Sequence, residues 1–128
     1  MPIQLNNLTI KGGVAGSTFG DPYWSYVTAL LHFDSTNGST TIVDQKGGSY
    51  TLGTGAQIST TYAKFGGSSL SLVNGYLTGP GTATAFGTND FTIEMYVLLD
   101  ANPGDSGNSF SFIDTRPAGA NGPYMSMG

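Results

Sequence analysis

Few residues in this chain can do chemistry. Eight carboxylates stand at Asp21, Asp34, Asp44, Asp90, Glu94, Asp100, Asp105 and Asp114, against three lysines, one arginine and one histidine. Two-carboxylate glycoside hydrolysis needs an acid and a base or nucleophile facing each other across a cleft. Glu94 is the only glutamate, and its period-two neighbours are Thr92 and Tyr96, so no carboxylate stands at alternating spacing directly beside it. His32 is the sole histidine and cysteine is absent, which leaves no multi-histidine or thiolate metal site. Asp34 and Asp44, with loop carbonyls, offer oxygen ligands of the kind calcium takes, but aspartates in turn segments act first as turn and cap formers. Gly66-Gly67-Ser68-Ser69 lacks the lysine and following helix of a phosphate loop and reads as a turn. The expectation is a protein without enzymatic activity or an obligatory cofactor, with calcium as a secondary possibility.

The element that positions Glu94 is the stretch at residues 90–100. Phe91, Ile93, Met95, Val97 and Leu99 fall on alternate positions, with Thr92, Glu94, Tyr96 and Leu98 between them. That period predicts a strand with one face in a core, and a helix would scatter the same residues around its circumference. Gly87-Thr88-Asn89 and Asn102-Pro103-Gly104 supply turns at its two ends. The remaining strands are expected to pack on this one.

Composition narrows the class. Only 9% of residues are charged while 12% are aromatic and 20 are glycine, which suits short strands joined by turns and not a disordered chain. The formal net charge of −4, with so few cations, argues against nucleic acid and against anionic membrane surfaces. No segment approaches the roughly 20 apolar residues of a membrane span, and the N-terminal sequence lacks the pattern of a secretory signal.

Residues 1–20 differ from the rest of the chain. Ile3, Leu5, Leu8 and Ile10 give a thin apolar pattern around Asn6-Asn7, and Gly12-Gly13-Val14-Ala15-Gly16-Ser17 then loosens the chain. Two readings stand: an extended arm that docks on a partner through those four residues, or a first edge strand with a linker. Residues 21–128 form the domain. Asp21-Pro22-Tyr23-Trp24 opens it, and residues 27–34 predict a strand dense enough to be central and covered on both faces. Short strands are expected at 40–43, 50–52, 56–59, 70–73, 76–78, 109–114 and 124–128. Asn74-Gly75, between two apolar runs, is a hairpin signal.

Four segments in this order carry a resemblance: Leu30-Leu31-His32-Phe33-Asp34, Lys64-Phe65-Gly66-Gly67-Ser68-Ser69-Leu70, Asn74-Gly75-Tyr76-Leu77, and Asp90-Phe91-Thr92-Ile93-Glu94-Met95-Tyr96-Val97. They resemble the laminin-G-like, concanavalin-A-like jelly rolls, in particular those of tailed-bacteriophage virion proteins. There a leader similar to Asp21-Pro22-Tyr23-Trp24 precedes a strand similar to residues 30–34. The resemblance spans about residues 21–128 and implies an all-β jelly-roll sandwich. Such sandwiches run to about 200–250 residues, so the chain holds roughly the first part of one. A longer product or a neighbouring chain is expected to complete it.

The resemblance implies a structural virion component: a tail fibre, a tail-associated adhesin or a surface decoration protein. It would assemble in the bacterial cytoplasm, act extracellularly, and contact other virion proteins as a homo-oligomer. In this picture Ile3, Leu5, Leu8 and Ile10 anchor the arm. The alternative is a glycan-binding module recognising host polysaccharide, with Tyr23, Trp24, Tyr62 and Tyr124 as the aromatics able to stack on sugar. Burial of the Trp24 cluster against the domain edge competes with that role. Hydrolases on this fold carry paired glutamates on one strand, which Glu94 alone does not reproduce.

Overall fold

The computed structural model describes residues 2–11, 21–100, 110–116 and 124–127. Among them the regular structure is almost all strand: β1 (Pro2–Lys11), β2 (Val27–Leu31), β3 (Thr51–Leu52), β4 (Ala56–Ser59), β5 (Ser69–Val73), β6 (Leu77–Thr78), β7 (Thr92–Leu99), β8 (Phe110–Asp114) and β9 (Tyr124–Met127). Short 3-10 turns cover Trp24–Tyr26 and Gly81–Thr84. The protein is therefore all-β. Its largest sheet runs β2-β1-β5-β4 with β7 also paired to β1, and β3-β6 and β8-β9 form two-stranded sheets.

The sheet is built on β1. All its pairings are antiparallel: β7 runs along one edge, while β5 and β2 share the other, β5 at residues 2–5 and β2 at residues 8–11. The apolar residues of β1 stand at 3, 5, 8 and 10, and the odd step from 5 to 8 would send the two pairs to opposite faces of an unbroken strand. A bulge interrupts the strand there. Asn6 pairs with Tyr96 and Thr9 with Glu94, three steps on β1 against two on β7. Ile3 and Leu5 thus stand opposite Leu99 and Val97, and Ile10 stands opposite Ile93. Across the other edge Ile3 and Leu5 pair with Leu72 and Leu70, and Leu8 and Ile10 with Leu31 and Ala29. The segment is neither a separate arm nor an edge strand, and the division at residue 20 does not divide the sheet, since β1 pairs with β2, β5 and β7 beyond it.

The strand at residues 92–99 alternates as its sequence requires, Ile93, Met95, Val97 and Leu99 half-buried and the residues between them exposed. It lies at the side of the sheet and not at its centre, with β1 as its only strand partner among the described residues. Phe91 falls just before it and stacks on Phe86, with ring centroids 4.1 Å apart. The core collects Leu31, Phe33, Ala56, Ile58, Leu70 and Leu72, covered by Ile42, Tyr50, Leu52, Leu77 and Phe112. Each fully buried Leu or Ile there contributes about 1.5–3 kcal/mol of transfer free energy.

Two local expectations give way to different geometry. Asn74-Gly75 is not a hairpin: β5 pairs with β4, and β6 pairs with β3. The β3-β4 and β5-β6 segments form one ribbon that turns a corner between sheets, held by Val73 N–H to the Gly55 carbonyl at 2.7 Å and Gly53 N–H to the Tyr76 carbonyl at 2.9 Å. The backbones touch there, so a Cβ on Gly55 (φ 82°) would run into the Val73 carbonyl oxygen. The second concerns residues 27–34. The strand stops at Leu31 and buries one face, because Phe33 adopts a left-handed φ of 59°. Left-handed backbone costs a residue with a Cβ about 1–2 kcal/mol. Ser68 offsets that cost. Its hydroxyl donates to the Phe33 carbonyl at 2.9 Å and accepts the Ser35 N–H at 3.1 Å. Gly66 lies against Asp34, where a Cβ would strike the carboxylate. No strand forms at residues 40–43; Asp44 makes an isolated bridge to Leu31 instead.

Removing residues 1–11 should abolish the cooperative urea transition, since it withdraws the strand that joins β7 to the rest; a truncated protein with an unchanged midpoint would contradict this topology. Gly55→Ala should cost at least about 2 kcal/mol in urea unfolding, from left-handed strain plus the clash. Gly38→Ala, at φ 80° but with nothing within 4 Å of the added Cβ, should cost about 1 kcal/mol from strain alone.

Candidate ligand-binding surface

The sheet has a second face, and its chemistry differs from the core's. Gln4, Ser69 and Ser71 are buried polar residues, and the loop of residues 60–67 meets Ser69. The Ser69 hydroxyl donates to the Tyr62 carbonyl at 2.5 Å, tying the loop to β5, and the Gln4 side-chain amide of β1 lies 2.6 Å from the same oxygen. Small polar residues suit this layer because the loop backbone packs close and brings carbonyls that need donors.

The same loop and β7 carry exposed rings. Phe65 meets Tyr96 edge to face with centroids 5.0 Å apart, and Lys64 Nζ stands 5.9 Å from the Tyr96 centroid. Tyr62 is 46% exposed, Phe65 50%, Tyr96 50% and Leu98 45%, far more than a tyrosine or leucine serving the core. Glu94 and Leu98 flank Tyr96 on the exposed side of β7. The loop places Tyr62, Lys64 and Phe65, and strand alternation places Glu94 and Tyr96.

The residues singled out from sequence fall in several places. Ile3, Leu5, Leu8 and Ile10 are at register positions inside the sheet. Tyr23 is exposed, and Trp24 is half-buried in the 3-10 turn that Asp21 initiates by accepting the Tyr23 N–H at 2.8 Å. The Trp24 ring already carries an internal ligand. Lys46 Nζ sits 4.3 Å from its centroid and donates to the Trp24 carbonyl at 3.1 Å. The Tyr62 backbone carbonyl rests on Ser69, in the same loop as Lys64 and Phe65, and its side chain is exposed. The side chain of Tyr124 lies outside the described residues. Sequence reasoning passed over Phe65 and Tyr96, whose signal was available: Tyr96 occupies an outward position of a clear strand, and Phe65 lies in a polar, glycine-rich turn.

Asp44, a candidate calcium ligand, is buried and its oxygens are engaged. Oδ1 accepts the Leu30 and Lys46 amides at 2.9 Å each, and Oδ2 accepts the Gly48 amide at 3.0 Å. This is the turn-forming role. Among the described residues no group of three or more His, Cys, Asp or Glu side chains is placed to hold a metal. Near Asp44, the Tyr50 hydroxyl is buried with no hydrogen-bond partner among the described residues. Burial, and then the Asp44 charge, push its pKa from 10.0 up to about 12. The unfolded chain therefore loses this proton first as pH rises, and stability falls between about pH 10 and 12. Tyr50→Phe should raise stability at pH 7 by about 1 kcal/mol, by removing an unsatisfied buried hydroxyl. The same variant should lose less stability than the parent between pH 10 and 12; parallel curves in urea titrations would contradict the assignment.

Set against protein-family models, curated proteins and solved structures, the chain matches none of them.

Proposed function

We propose that the chain is a non-enzymatic, laminin-G-like jelly-roll module of a tailed-phage virion: a tail fibre, a tail-associated adhesin or a surface decoration protein. Such a module contacts other virion proteins and host-surface glycan outside the cell. The observation that supports this reading is the junction between the two motifs that carry the resemblance. Residues 30–34 and 64–70 are remote in sequence, yet Ser68 holds the Phe33 carbonyl and the Ser35 amide, and Gly66 fits against Asp34. The two motif segments thus meet in space and hold one another's backbone.

With β1 built into the sheet, attachment through Ile3, Leu5, Leu8 and Ile10 as a free arm is no longer part of the reading. The outer face of β7 and the loop of residues 60–67 are the surfaces offered to partners instead. A hydrolase would need a second carboxylate opposite Glu94, and the residues of β7 beside it are Thr92 and Tyr96.

Mass spectrometry of gradient-purified tailed particles from the source of the chain tests the proposal. Peptides of the chain should co-sediment with the particles in constant ratio to the other virion proteins. Recovery only from the soluble lysate, with none in particles, would sink it.

A further inference from the structure

We infer that the surface formed by Lys64, Phe65, Glu94 and Tyr96 binds a neutral hexopyranose unit of a polysaccharide. This deepens the proposed function, resting on its reading of the protein as a binding module, and it moves the contact away from Trp24.

A pyranose ring has an apolar C–H face and a rim of hydroxyls. Its complement is an exposed aromatic ring flanked by at least one donor and one acceptor. Tyr96 supplies the ring, half exposed, and Phe65 braces it edge-on at 5.0 Å. Lys64, 5.9 Å from the Tyr96 centroid, donates, and Glu94, two residues before Tyr96 on the exposed side of β7, accepts. Lys64 is the cation here, Glu94 and Asp34 (its carboxylate against Gly66) bring two carboxylates, and the chain carries −4. That balance disfavours a polyanion and suits a neutral, hydroxyl-rimmed ligand.

The platform is also held in place before any ligand arrives. Tyr62, Lys64 and Phe65 belong to a loop tied down through the buried Ser69 hydroxyl, and Tyr96 projects from a strand, so few side chains must be ordered on binding. Both rings have an ammonium near them, but Lys46 stands 4.3 Å from the Trp24 centroid and also donates to the Trp24 carbonyl, whereas Lys64 stands 5.9 Å from the Tyr96 centroid. A sugar at Trp24 would therefore meet the closer competitor.

The test is titration of the full chain with dextran, mannan and galactan, and with polygalacturonate as the acidic control. At least one neutral polymer should bind. Tyr96→Ala and Phe65→Ala should each weaken it tenfold or more, Lys64→Gln and Glu94→Gln severalfold, and Trp24→Phe should leave it unchanged. Thermal melts establish that the variants fold. In the parent protein, NMR should show the Tyr96 and Phe65 ring resonances shifting on addition of the polymer, a readout that needs no variant. Binding to none of the neutral polymers, binding only to polygalacturonate, or neutral binding indifferent to Tyr96→Ala and Phe65→Ala overturns the inference. Those outcomes leave the particle measurement untouched, so failure of the glycan site and failure of the virion assignment are read separately.

Discussion

Everything in this fold depends on the hydrogen-bonding capacity of both edges of β1. A strand offers donors and acceptors along two sides, and β1 uses one side for β7 and divides the other between β5 and β2. Without it, β2 and β7 would each lack their strand partner, and the inward residues of β7 would lose their neighbours across the sheet. The cost is one bulge between Asn6 and Thr9, at the place where the partner on the second edge changes from β5 to β2. On either side of it Ile3, Leu5, Leu8 and Ile10 are in register with core positions of their neighbours.

Around that strand, close backbone contact does much of the work usually left to large side chains. The ribbon turns its corner because Gly55 and Gly75 let two main chains touch, which any side chain would prevent. Phe33 sits in a left-handed conformation because Ser68 bonds to the peptide groups on either side of Asp34. Glycine at positions 55 and 75 and serine at 68 are thus structural requirements of these tight crossings.

The two faces of the main sheet then divide the labour. One face supplies Leu31, Ile58, Leu70 and Leu72 to the core. The other buries a thin layer of Gln4, Ser69 and Ser71, and the loop of residues 60–67 and the outward residues of β7 bring rings, an ammonium and a carboxylate together. A core-facing pattern on a strand fixes the opposite pattern by alternation, so stability and surface chemistry are set by alternate residues of β7.

The sequence by itself determined the all-β class, the position of nearly every strand, and the two-faced character of residues 92–99, because period-two patterns and turn residues are local signals. It also fixed Thr92 and Tyr96 as the period-two neighbours of Glu94. Only the tertiary structure decided that residues 2–11 lie within the sheet, since a bulge breaks the very periodicity by which a strand is recognised. The Asn74-Gly75 turn became a corner and not a hairpin because remote contacts with Gly53 and Gly55 chose its partner strands. The candidate surface was legible only in part: Tyr62 was visible as an aromatic in a loop, while Phe65 of the same loop meets Tyr96 of β7, some thirty residues on. Which aromatics meet is a matter of how a loop folds over a sheet, and no spacing along the chain encodes that distance.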